Sequence, residues 1–82
     1  SPDEILKREE WVNKVVPKLM MVEGLIDDTS WTDNYKASTK HFISSLIKQA
    51  KSRKTLSKKQ MDSAASIYLR TKKNVEKNKN NA

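Results

Sequence analysis

The sequence predicts an all-α domain of three to four helices built on a helix–loop–helix core. Three observations predict it. The chain has 82 residues with one glycine, two prolines and no cysteine. That composition leaves little for hairpin turns and nothing for a disulfide framework or a thiolate metal site. Apolar residues recur at helical spacing in several segments. Finally, Ser57 and Gln60 stand at capping-box spacing just ahead of one such segment, with Leu56 and Met61 at the staple positions around them.

Residues 3–16 read as the first helix. Ser1 or Asp3 caps it, Pro2 suits its first turn, and Asp3 and Glu4 complement the positive end of its dipole. Ile5, Val12 and Val16 share a face that Leu19, Val22 and Ile26 would continue. Pro17 argues against a straight continuation, because its ring removes a donor and crowds the preceding turn. The expectation is a kink or break there, then a short helix over 17–24 with Gly24 as its C-cap. Trp11 lies off the main face and is expected to pack on a neighbouring helix.

Asp27, Asp28, Thr29 and Ser30 form a polar connection, and Ser30 with Asp33 repeats the capping spacing. The next helix is expected from Trp31 to Arg53. Its core stripe would be Trp31, Tyr35, Phe42, Leu46 and Gln49, with Ile43 and Ala50 at the edge. Lys36, Lys40, Lys48 and Lys51 fall opposite, and Ile47 lies among them. His41, the only histidine, reads as a surface residue.

The last helix starts after Ser57 and runs to about residue 74, with Met61, Ala64, Ala65 and Tyr68 as its apolar face. One domain over residues 1–74 and a disordered polar tail over 75–82 complete the expected organisation.

The charge is uneven. Residues 1–33 carry four basic and eight acidic side chains, residues 34–82 thirteen and two, so the halves stand at −4 and +11. Such asymmetry points to an anionic partner. The connection around residues 51–59 concentrates Lys51, Arg53, Lys54, Lys58 and Lys59 without an acid. Arg70 and Lys73 continue this charge along the outside of the last helix. These seven are the candidate nucleic-acid contacts, since a basic patch is the electrostatic footprint of such binders. The helix start after Ser57 adds N–H groups that favour an anion.

Other chemistry finds no parts. A single histidine and no cysteine exclude a His/Cys metal cluster, and neighbouring acids such as Glu9 and Glu10 diverge on a helix. No serine has a histidine partner in sequence pattern, and one glycine rules out a phosphate-binding glycine loop. The expectation is a non-enzymatic chain with no cofactor, no metal and no small-molecule substrate. No apolar run reaches the ~18 residues of a membrane span and no signal-peptide pattern is present.

The run Phe42-Ile43-Ser44-Ser45-Leu46-Ile47-Lys48-Gln49, the basic gap, Leu56-Ser57-Lys58-Lys59-Gln60 and then Ile67-Tyr68-Leu69-Arg70 resembles a small helical module of phage and helicase-associated proteins. It is most similar to the C-terminal helical domain of the UvsW-type recombination helicases of T-even bacteriophages, sometimes treated as a separate small open reading frame. The resemblance covers 29 of the 82 residues, Phe42 to Arg70. It implies an accessory domain of an ATP-dependent DNA helicase that remodels replication forks, D-loops and junctions. The ATPase motifs of that family are missing here. The implied partners are helicase core domains and single-stranded or branched DNA, with RNA also open, and the implied location is the host cytoplasm. Docking between a helicase core and another protein, through the acidic half or through Trp11 with Ile47, is the alternative.

Overall fold

Helix α1 runs unbroken from Pro2 to Ile26 in a computed structural model that describes residues 1–81. Helix α2 follows over Asp33–Arg53 and α3 over Lys58–Asn80. Among the described residues there is no strand, and no helix is long and apolar enough to cross a membrane. The three helices form an elongated bundle of 52 × 22 × 18 Å. Helix α1 packs on both others and more closely on α2. The core is Val16, Leu19, Val22 and Ile26 of α1, Ile43, Leu46 and Ala50 of α2, Leu56 of the connection, and Ala64 and Ile67 of α3.

Of the kink or break expected at Pro17, the break and the separate helix over 17–24 do not occur, since α1 is one helix through Pro17. Val16, Leu19, Val22 and Ile26 are buried on one side of α1, and Pro17 is exposed on the other. A proline frees the carbonyl one turn back, here that of Asn13. On the solvent side water satisfies that group, so the helix carries the proline without ending. Gly24 is likewise inside the helix, with no left-handed backbone, and Asp27 is the C-cap. Helix α1 has no basic residue in its own last turn. Helix α2 supplies two. The Lys36 Nζ donates to the Asp27 carbonyl at 3.3 Å and Lys40 pairs with the Asp27 carboxylate at 2.9 Å. Both cations sit where the helix dipole favours them.

The N-cap of α2 is Thr32, not Ser30. Thr32 Oγ1 accepts the Tyr35 N–H at 3.2 Å. Ser30 is held elsewhere: its N–H donates to Asn74 Oδ1 at 2.8 Å, and its hydroxyl accepts from Asn74 Nδ2 at 3.2 Å. Trp31 therefore precedes the helix and meets Tyr35 edge to face, with ring centroids 4.9 Å apart. The buried stripe is Thr39, Ile43, Leu46 and Ala50. Ile43 and Ala50 lie at its centre rather than its edge. Phe42 and Ile47 are half-buried on its two flanks, and Tyr35 is exposed. The expected stripe was turned because α2 faces two neighbours, so its buried arc is centred between the aromatic flank and the Ile47 flank.

Helix α3 begins as expected. Ser57 Oγ accepts the Gln60 N–H at 3.1 Å and Gln60 Oε1 accepts the Ser57 N–H at 2.8 Å. Its buried face is Ala64, Ile67, Thr71 and Val75, which leaves Met61 and Ala65 exposed and Tyr68 half-buried. The helix does not stop near residue 74. Val75 is buried, and Asn78 Nδ2 donates to the Asp28 carbonyl at 3.3 Å. Those two contacts, with the Asn74–Ser30 bonds, give the final turns a partner and extend the ordered helix over most of the expected polar tail. Ala82 lies outside the described residues. Thr71 is fully buried, and its hydroxyl has no hydrogen-bond partner among the described residues.

Two substitutions test these local accounts. Pro17→Ala restores a main-chain donor on an exposed helix face. It should raise stability in urea unfolding by about 2 kcal/mol, the helix-interior cost of proline less its unfolded-state benefit. An unchanged or lower midpoint would mean α1 is broken there in solution. Ser57→Ala should cost about 1 kcal/mol by removing the cap of α3. A change indistinguishable from zero would place the start of that helix elsewhere.

Candidate nucleic-acid interface

The basic connection is tied down at each end. Lys54 follows the last residue of α2 in the left-handed region, with φ 58° and ψ 30°. Glycine usually takes such a position, because a Cβ crowds the neighbouring carbonyl. Leu56, two residues on, is buried and lines one depression with Trp11 and Met61. It anchors the connection against α1. Gln49 of α2 and Gln60 of α3 exchange two amide hydrogen bonds at 3.1 and 2.9 Å, and this part-buried pair links the two helices across the connection.

The seven candidate cations fall into three groups. Lys54 is half-buried and paired with Glu9 of α1, and Lys58 pairs with Asp62 one turn along α3 at 3.0 Å. Lys54 thereby ties the connection to α1, whereas the Lys58 pair is local to α3 and highly exposed, and each meets a carboxylate. Arg70 carries no carboxylate partner, and its Nη1 donates to Tyr35 Oη at 2.8 Å. That bond fixes the guanidinium on the α2–α3 side. Lys51, Arg53, Lys59 and Lys73 are exposed and form no ion pair among the described residues.

These residues do not make one compact patch. Lys51 and Arg53 are two residues apart, about 200° around α2, and flank its end on different sides. Helix α3 is more orderly. Lys59, Arg70 and Lys77 fall within about 20° of one another on its outer face, and Lys73 stands about 60° from Arg70. The stripe runs roughly 27 Å along the helix, some eight nucleotide steps of a duplex strand. Ser63 and Ser66 lie between the cations and share with Lys58, Lys59, Asp62, Ile67 and Arg70 a shallow depression of about 630 Å³, where the Asp62 carboxylate is held by Lys58. The capping box takes up the Gln60 N–H, so the N–H groups open at the start of α3 are those of Lys58 and Lys59.

Sequence reasoning missed the Glu9–Lys54 pair, the Tyr35–Arg70 bond and the Gln49–Gln60 exchange. All three join residues distant in sequence, and only the capping role of Gln60 had a local signal. Trp11 and Ile47, the proposed docking pair, both pack against the core instead. Among the described residues no group of three His, Cys, Asp or Glu could hold a metal ion.

Lys54→Gly separates backbone from charge. It removes the left-handed strain of a non-glycine residue, about 1 kcal/mol, and loses an ion pair worth less than ~1 kcal/mol at this exposure. The variant should unfold within about 1 kcal/mol of the parent, and a larger loss would show that the Glu9 contact holds the connection.

No protein-family model, no curated protein and no solved structure matches this chain.

Proposed function

We propose that the chain is a non-catalytic nucleic-acid-binding domain that grips phosphates without reading bases. The observation that carries this is the α3 stripe. Lys59, Arg70 and Lys73 are exposed, Arg70 on the α2–α3 side, without a carboxylate partner among the described residues. A single unpaired surface lysine is ordinarily only solvated, whereas a row of like charges along one helix is an electrostatic footprint. An unmatched row costs repulsion in the free protein, and a polyanion relieves it. Lys51 and Arg53 at the end of α2 extend the charge toward the connection.

Such contacts position a backbone and carry no sequence information. On this reading the sequence carries no base-reading motif, and affinity should be similar across sequences. Tyr35 orients Arg70 and gives that contact more definition than a free lysine has. The resemblance to the UvsW-type helicase domain supports an accessory role beside an ATP-driven core, on single-stranded or branched DNA. Tethering to such a core would raise the effective concentration, so a weak intrinsic affinity would suffice.

The test is a titration into labelled single-stranded, duplex and forked DNA at two salt concentrations. With about four cations engaged on duplex, the log–log salt slope should be near −3.6, and Kd should fall at ~10⁻⁴ to 10⁻⁶ M at physiological salt. Changing Lys59, Arg70 and Lys73 together to Gln should flatten the slope by about 2.7. The same change in Lys54 and Lys58 should alter it less, because each already meets a carboxylate. No salt-sensitive binding by the folded parent would overturn the proposal.

A further inference from the structure

Helices α1 and α3 run parallel and leave a furrow between them. Its apolar lining is Val15, Leu19, Met21 and Val22 from α1 and Met61, Ala64, Ala65 and Tyr68 from α3, with Lys18 at its edge, and it encloses about 470 Å³. This is the apolar face that the sequence of α3 displays most clearly. The fold turns α3 so that Ile67, Thr71 and Val75 are buried instead, and Met61 and Ala65 stay exposed. Met21 is 50 % exposed beside them. Scattered single apolar residues on a surface need no explanation, whereas a continuous lined furrow does.

We propose that this furrow binds an acidic amphipathic helix of a protein partner. Its shape sets the form of the ligand. Each wall contributes residues over about seven positions, roughly 10 Å, which matches two turns of a helix presenting apolar side chains at i, i+3 or i+4, and i+7. The alanines of α3 lower one wall and let a backbone approach. Met21 and Met61 adapt to the shape of what they cover. Its rims set the sign. Lys14 and Lys18 lie one turn apart along the α1 edge, Lys18 in the furrow lining, and Lys72 stands over the Tyr68 ring on the other edge at 5.9 Å. Of the nearby acids, Asp62 is paired with Lys58, and Glu10 and Glu76 stand one turn from Lys14 and Lys72, which leaves Lys18, in the furrow lining itself, with no acid one turn away. A helix with carboxylates flanking its apolar stripe would meet those lysines on both sides. This surface is distinct from the outer face of α3 that carries Lys59 and Arg70, so the two sites stand or fall separately.

The probe is a fluorescein-labelled amphipathic peptide with Leu and Phe at i, i+3, i+4 and i+7 and Glu on both flanks. One control replaces each Glu by Lys, and another scrambles the apolar positions. Anisotropy is measured on the full chain, on Ala65→Glu, on Lys18→Glu, and on the variant with Lys59, Arg70 and Lys73 changed to Gln. Amide shift mapping locates the contact. Ala65 is an exposed helical position, so its replacement by Glu should leave the fold intact. The expected result is binding of the acidic peptide alone, with shifts at Met21, Met61, Ala65 and Tyr68. Ala65→Glu and Lys18→Glu should each weaken it by about tenfold, through a buried or opposed like charge. The Gln variant should leave it unchanged. Equal binding of both flank compositions, loss only in the Gln variant, shifts confined to the outer face of α3, or a furrow already covered by a second copy in sedimentation equilibrium would each overturn the proposal.

Discussion

The continuity of α1 through Pro17 is the constraint on which the rest of the fold depends. Val16 lies just before the proline, and Leu19, Val22 and Ile26 lie after it, all in one buried row. A break at Pro17 would turn the later residues away from Val16 and split the face that receives α2 and α3. The row survives because the proline falls on the opposite side, where water meets the freed Asn13 carbonyl. Ile26 at the end of the row is fully buried, and the loop after it is where Ser30 and the Asp28 carbonyl meet Asn74 and Asn78. The order of the last turns of α3, Asn74 to Asn78, thus descends from a helix that does not break at Pro17.

The same constraint shapes the distribution of charge. The acidic half is not a separate surface facing the basic half. Asp27 at the end of α1 is met by Lys36 and Lys40 of α2, and Glu9 near its start is met by Lys54. These contacts fasten the two ends of α1 to α2 and to the connection after it. They also remove cations from the pool available to a ligand. What remains without an ion pair among the described residues includes Lys51 and Arg53 at the end of α2, Lys59, Arg70 and Lys73 of α3, and Lys7, Arg8, Lys14 and Lys18 of α1 itself. Charge that looks like a simple gradient along the chain becomes, after folding, two paired ends of α1 and unpaired cations spread over all three helices.

Much of this was legible in the sequence, for physical reasons that differ by element. The cap of α3 was readable because Ser57 and Gln60 are three residues apart and act on each other directly. The all-helical class followed from periodicity and the near absence of glycine. The path of α1 was misread because proline is a strong local signal, while the side on which it falls matters only relative to neighbours. The cap at Thr32 was missed because Ser30 has the right spacing but is engaged by Asn74, 44 residues away. Stripe phases on α2 and α3 were shifted for a related cause: each helix has two neighbours, and a sequence wheel cannot show which arc faces them. Among the candidate contacts, charge and exposure were readable, and the pairings that withdraw Lys54 and Lys58 were not.

The turned phase of α3 has a structural cost that bears on function. Had the helix buried Met61, Ala65 and Tyr68, it would have placed its best apolar face in the core and left Thr71 and Asn74 outside. Instead Thr71 is fully buried with an unpartnered hydroxyl, and the methionine–tyrosine face borders an open furrow. Burying a hydroxyl without a partner costs on the order of 1–3 kcal/mol. Two other contacts hold the helix in this phase: Gln60 reaches Gln49, and Asn74 reaches Ser30, both on the α2 side. Rotation to bury the apolar face would break both. The fold therefore fixes α3 by polar contacts to α2 and to the connection before it, and leaves Met21, Met61 and Ala65 exposed along the seam between α1 and α3.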